Sequence, residues 1–137
     1  MSLVVDSSIT LARVFPDEWT PVILKLFRER IAYGAWVPDL WKLEVANVLS
    51  LSVRKGRMTK ERRNKILARL QLFPIAIDSE TGKSAWNETL KLADRHKLTV
   101  YDATYLELSL RRSLPLATLD RDLRKAAQAE GIALLGI

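Results

Sequence analysis

Short apolar runs alternate along this chain with longer stretches of helical period. Leu3, Val4 and Val5 read as a buried strand that stops on Asp6. "SSITLARVF" then predicts a short helix, ended by Pro16. From Trp19 to Tyr33 the period is helical, with Val22, Leu26 and Arg30 on one face and Ile23 and Phe27 beside it, and Gly34 ends the run. "AWVP" (35–38) predicts a second strand, Leu40 to Arg54 a helix followed by Gly56, and Thr59 the cap of a helix reaching Leu72 that aligns Ile66, Leu70 and Phe73. "PIAI" (74–77) is a third strand. Asp78 or Ser79 is then expected to cap a helix whose apolar face is Trp86, Leu90 and Ala93. After "LTVYD", an apolar helix is expected from Asp102 to Arg112. "LPLATLD" (114–120) is a fourth strand, "RDLRKAAQAE" a helix stopped by Gly131, and "IALLGI" (132–137) a last strand.

Alternating strands and helices predict an α/β fold: one domain over residues 1–137, with a mostly parallel central sheet flanked by helices. In such folds ligands bind beyond the carboxyl ends of the strands. The 137 residues, 48% of them hydrophobic, suffice for one core. With no cysteine and a single histidine, His96, the chain excludes disulfides, thiolate zinc sites, cysteine nucleophiles and multi-histidine metal sites. A metal here would need oxygen ligands, which suits Mg²⁺ or Mn²⁺. No apolar run reaches membrane-spanning length, and "MSLVVDSS" lacks the basic and long apolar regions of a signal peptide, so a cytoplasmic protein with no membrane partner is expected.

The formal charge of +6 is local. Between residues 54 and 65 lie seven cations, Arg54, Lys55, Arg57, Lys60, Arg62, Arg63 and Lys65, against one acid, Glu61. The rest of the chain balances 15 cations with 15 acids. Such a patch suits a polyanion or an acidic protein segment, or else is a solvated surface.

Four carboxylates stand out against the apolar pattern. Asp6 and Asp120 each end an apolar strand, where a helix cap would also explain them. Glu44 lies among Leu40, Trp41, Val48 and Leu51 on the apolar face of its helix, where a salt bridge is the simpler account. Asp102 opens an apolar, hence central, helix with Tyr105, Leu106 and Ser109 on its side. Four acids brought together repel unless protonated or neutralised by a cation. Oxygen ligation of a hard divalent ion by Asp6, Glu44, Asp102 and Asp120 resolves that conflict.

"VVDSS", "PDLWKLEVANVL", "LTVYDATYLELSL" and "LPLATLDRDLRKAA", in that order along essentially the whole chain, resemble the PIN-domain ribonucleases, and more narrowly the VapC-type toxins of toxin–antitoxin pairs. By motif position the family's acids fall on Asp6, Glu44, Asp102 and Asp120. Its polar residue ahead of the last acid falls on Thr118, and Asn47 matches a common family position. The resemblance implies a PIN-like, Rossmann-like sheet and a Mg²⁺- or Mn²⁺-dependent endoribonuclease, usually a homodimer, with an RNA substrate and a small antitoxin that blocks the site. Asp6, Asp102 and Asp120 are expected as ligands. Glu44 is left open between ligand, water-mediated ligand and base. Ser7, Asn47 and Thr118 are expected to support them. Arg54, Lys55, Arg57, Arg62 and Arg63 are expected to hold RNA backbone or partner.

A non-catalytic RNA- or protein-binding domain on the same fold is the chief alternative. A phosphoacceptor signalling domain fits less well, because it wants a second acid near the first strand and a lysine after the last, and neither is present.

Overall fold

The computed structural model describes residues 2–137. Five short strands, β1 (Val4–Val5), β2 (Ala35–Val37), β3 (Ile75–Ile77), β4 (Leu116–Ala117) and β5 (Leu134–Leu135), form one sheet in the order β3-β2-β1-β4-β5, and every pairing is parallel. The strands are shorter than the apolar runs that encode them, because Leu114, Leu119 and Ile132 pack against the core from outside the ladder. β1 and β4 are fully buried, as sheet covered on both faces requires.

Among the described residues eight α-helices connect the strands: α1 (Ser7–Val14), α2 (Pro21–Glu29), α3 (Trp41–Arg54), α4 (Lys60–Leu70), α5 (Thr81–Ser84), α6 (Glu88–His96), α7 (Val100–Arg112) and α8 (Arg121–Ala129). α2 buries Ile23, Leu26 and Phe27 and leaves Val22 exposed, so its inward face is rotated from the expected one, and the chain finishes this region in a 3₁₀ turn at Ile31–Tyr33. Gly34 follows with φ of 133°, a backbone setting that glycine adopts most readily.

Three expectations fail here. The single helix expected after Asp78 is split into α5 and α6. The break resets the helical phase, so Thr89, Leu92 and Ala93 face inward while Leu90 is exposed and Trp86 is 90% exposed. Neither Asp78 nor Ser79 caps a helix: α5 begins after Glu80, which makes no side-chain cap, and Asp78 is buried in ion pairs. α7 begins at Val100, not at Asp102, because the Thr99 hydroxyl caps it by accepting from the Asp102 amide.

The chain winds outward from β1 through β2 to β3, then returns to place β4 on the other side of β1. That reversal leaves a crevice beyond the carboxyl ends of β1 and β4, the place where open parallel sheets bind ligands. Among the described residues no helix is long and apolar enough to cross a membrane.

Candidate active site

The register sets the first contact of the site. Val5 pairs with Ala117, so Asp6 and Thr118 are the next residues on two adjacent strands, and the Asp6 amide donates to the Ala117 carbonyl at 3.2 Å. The Thr118 hydroxyl donates to Asp6 Oδ2 at 2.5 Å and accepts from the Asp120 amide at 3.0 Å. One buried hydroxyl thus links the first acid to the backbone of the last.

Asp6 is itself the N-cap of α1: its Oδ1 accepts from the Ile9 amide at 3.1 Å and from the Ser8 hydroxyl at 2.6 Å. Ser8 in turn accepts from the Leu119 amide, tying α1 to the segment after β4. The cap and the site are therefore one residue. Asp120 caps α8 in the same way, with Oδ1 accepting from the Leu123 amide at 2.8 Å. Glu44 lies in the first turn of α3 and Asp102 in the first turn of α7. All four acids stand at helix N-termini, where the partial positive charge of the unpaired amides favours a carboxylate.

Glu44 is half-buried, and its Oε1 accepts from the hydroxyl of fully buried Tyr105 at 2.5 Å. Ser7, on α1, lies close enough to Glu44 and Tyr105 to favour ionisation of both. Ser7 therefore lies on the Glu44 side of the site, while it is Ser8 that bonds Asp6. Tyr105 was noted in the sequence only as a neighbour of Asp102. Its hydroxyl sits next to a carboxylate, so burial and Glu44 raise its pKa and the phenol stays protonated.

Burial pushes the Asp6 carboxyl up to about 6, against the pull of its Ser8, Thr118 and Ile9 hydrogen bonds, and the charge of Asp102 adds to the rise. Glu44 is raised by burial and by Asp102. Asp102 is raised by burial, then by Asp120 and Asp122. Asp102 is thus the hub of the group, close enough to act on Asp6 and Glu44 and to be acted on by Asp120. Among the described residues no lysine, arginine or histidine forms an ion pair with any of the four. The group is open: among the described residues no three His, Cys, Asp or Glu side chains close on one point at metal-holding distance.

Gly136 is a further residue that the sequence did not single out. A side chain there would stand 2.8 Å from Ile9 Cδ1 and 3.2 Å from the Thr118 carbonyl, and its φ of 114° disfavours any other residue. Its only sequence signal is a glycine directly after a strand. Arg124 completes this support by donating to the Thr118 and Leu135 carbonyls.

Asn47 is exposed one turn beyond Glu44 and makes no side-chain hydrogen bond to the acids among the described residues. Arg54 ends α3, Lys55 and Arg57 lie in the turn after it, and Arg62 and Arg63 lie on α4. Among the described residues none of these five forms an ion pair with the acids.

Four carboxylates, coupled through Asp102, thus gather beyond the carboxyl ends of a parallel sheet where its strand order reverses. The PIN domain family model matches residues 3–129, and the chain belongs to the PIN-domain family. Ribonuclease VapC3 of Pyrobaculum aerophilum is a relative, 32% identical over 123 residues that cover 90% of this chain and 92% of the relative. Two solved structures share the fold. Mycobacterium tuberculosis VapC20, described as a sarcin-ricin loop cleaving toxin, superposes with a TM-score of 0.65 at 17% identity, covering 90% of this chain and 94% of its own. Rickettsia felis VapBC2, bound to a DNA fragment from its promoter, gives 0.68 at 13% identity, covering 99% and 98%.

Proposed function

We propose that the chain is a divalent-metal-dependent endoribonuclease and the toxin of a toxin–antitoxin pair. The observation that carries this reading is the set of four carboxylates around Asp102 with no cation among them. Structural acids are paired, and these are not. The donor set is hard and anionic, which fits Mg²⁺ or Mn²⁺. Asp6, Asp102 and Asp120 would hold the ion. When bound, such a cation supplies a water of lowered pKa and neutralises charge on a phosphoryl oxygen.

The protein groups do the rest. Thr118 and Ser8 fix Asp6 in one orientation. Tyr105 donates to Glu44 Oε1 and holds that carboxylate in place, where Glu44 would serve as a ligand, directly or through water, or as the base for the attacking water. Cations within the 54–65 segment hold backbone phosphates without reading sequence.

Membership of the PIN-domain family and the VapC3 relative support this reading, as do the toxin–antitoxin assemblies among the proteins of shared fold. On it the whole chain, 1–137, works as one PIN domain in the cytoplasm, as a homodimer, and is silenced by a small antitoxin. The open spacing of the acids favours one other reading, a non-catalytic PIN-like domain that binds RNA or protein.

One experiment separates them. The purified chain is incubated with a single-stranded RNA oligomer in chelator, in Mg²⁺ and in Mn²⁺. Cleavage is expected only with metal, and Asp6→Ala, Asp102→Ala and Asp120→Ala should each slow it by about 100-fold or more. Absence of cleavage in every metal, or full activity in these variants, removes the nuclease reading.

A further inference from the structure

A second charged feature lies at the far end of α1. The helix starts from Asp6 and runs 8 residues, so its other end is about 12 Å along the helix from Asp6. There Arg13, the Pro16–Trp19 turn and one face of α4 enclose a cleft of about 470 Å³. Four of its lining residues are cations, Arg13, Arg62, Lys65 and Arg69, and none is an acid. Arg62, Lys65 and Arg69 repeat at helical spacing, which sets them along one face of α4. The floor between them is apolar and includes Ile66.

Trp19 gives the cleft its second property. The side chain is 44% exposed, yet it is fixed: its Nε1 donates to the Arg13 carbonyl at 2.7 Å, and the Arg13 guanidinium lies 4.9 Å from the ring centroid. An exposed indole pinned by its own hydrogen bond is a preorganised flat surface. A row of cations beside a fixed aromatic plane is the arrangement that binds single-stranded nucleic acid, with phosphates on the cations and a base on the ring.

We propose that the cleft between the end of α1 and α4 holds single-stranded RNA, gripping the substrate strand away from the acids. The proposal rests on the nuclease reading for the identity of the polyanion and goes beyond it in assigning the grip. It divides the basic segment: Arg62 and Lys65 act, Arg13, Arg69 and Trp19 join them from outside it, and Arg54, Lys55 and Arg57 do not line the cleft.

The test measures binding, not cleavage. Fluorescein-labelled oligouridylate of about 12 nucleotides is titrated with the full chain in chelator at several salt concentrations. Arg62→Gln with Lys65→Gln should lower the slope of log affinity against log salt by about 1.4, the share of two phosphate contacts on a single strand. Arg54→Gln with Lys55→Gln removes the same charge outside the cleft and should lower it by less than half as much. Trp19→Ala should weaken binding about 5-fold or more, Trp19→Phe should restore it, and neither should alter binding of a duplex of equal length. Thermal melting of each variant confirms that it is folded.

Equal losses in the two cation pairs would mean diffuse attraction and would overturn the proposal. So would wild-type binding by the cleft pair. A polyglutamate peptide that displaces the oligonucleotide from wild type, in a chain whose RNA binding ignores Trp19, assigns the cleft to an acidic protein segment and also overturns it. The two readings fail separately. A chain that never cleaves RNA but binds it through the cleft ends the nuclease reading and leaves this one standing. A chain that cleaves RNA with no dependence on the cleft does the reverse.

Discussion

Two groups of carboxylates follow strands of the same sheet and differ in their company. Asp78 follows β3 and is fully buried, yet its pKa is lowered. Burial would raise it, but Arg111 and Arg112 outweigh burial. Arg111 reaches Asp78 with two bonds, at 2.6 and 3.0 Å, and turns its Nε to buried Glu107. Arg112 adds a bond at 3.3 Å and stacks on Trp36 with its guanidinium 3.5 Å from the ring centroid. Asp6 follows β1, is nearly as buried, and receives hydroxyls and an amide but no cation. Its pKa rises to about 6. Burial is common to both groups, and the placement of two arginines decides which one stays ionised and which keeps its proton to a higher pH.

The largest effect should come from breaking the paired group. Arg111→Ala leaves Asp78 and Glu107 buried without their shared cation and should cost about 3–5 kcal/mol in urea unfolding. A loss below about 1 kcal/mol would place that pair among weak surface contacts.

Acidity should pull the two groups in opposite directions. Asp78, lowered in the fold, contributes stability that is present above its ordinary pKa and is lost as pH falls through the folded value. Asp6 behaves inversely. It keeps its proton to about pH 6 in the fold against 3.8 ordinarily, so between those values the native state binds more protons and stability falls as pH rises. Urea unfolding of wild type and Asp6→Asn in chelator should coincide near pH 4 and separate by pH 7, with the variant ahead by up to about 3 kcal/mol. A separation that grows toward acid would contradict the raised pKa.

Metal should act on the open group alone. At about 100 times its dissociation constant, Mg²⁺ or Mn²⁺ should stabilise wild type by about 2.7 kcal/mol, and Asp102→Asn much less. If calorimetric melting of wild type is unchanged by excess metal, the four acids are not a cation site. The smallest effect is expected for Asp102→Asn without metal. Removing the hub charge at constant shape should raise stability by about 1 kcal/mol, or about 3 °C in Tm. A lower melting temperature than wild type in chelator would show that the acids do not strain the fold.

The strand pattern and the acids at strand ends were legible because an apolar run that stops on a carboxylate is locally anomalous. What stayed hidden depends on contacts between distant residues or on helical phase. The Arg111–Asp78 pair joins residues 33 apart, and nothing local distinguishes Arg111 from a solvated cation. Whether Ser7 or Ser8 serves Asp6 is settled by the Leu119 amide, 111 residues away from Ser8. Trp86 and Leu90 read as an inward face only if one helix runs through, and the break between α5 and α6 removes that premise. Asp102 read as the helix start, although the hydroxyl of Thr99, three residues earlier, is the cap.

The bond from Thr118 to Asp6 closes across 112 residues, and β1 gains its second neighbour only when β4 is in place. On a ribosome, which adds about 5–20 residues per second, the amino-terminal strand is made seconds before the segment that completes it. During that interval Asp6 has neither Thr118 nor Asp120 beside it, and β1 keeps one bare edge. A chain interrupted before residue 116 carries three of the four acids and no assembled centre. Residues 116–137, which bring β4, Thr118 and Asp120, are therefore the part of the chain on which the grouping of the acids waits.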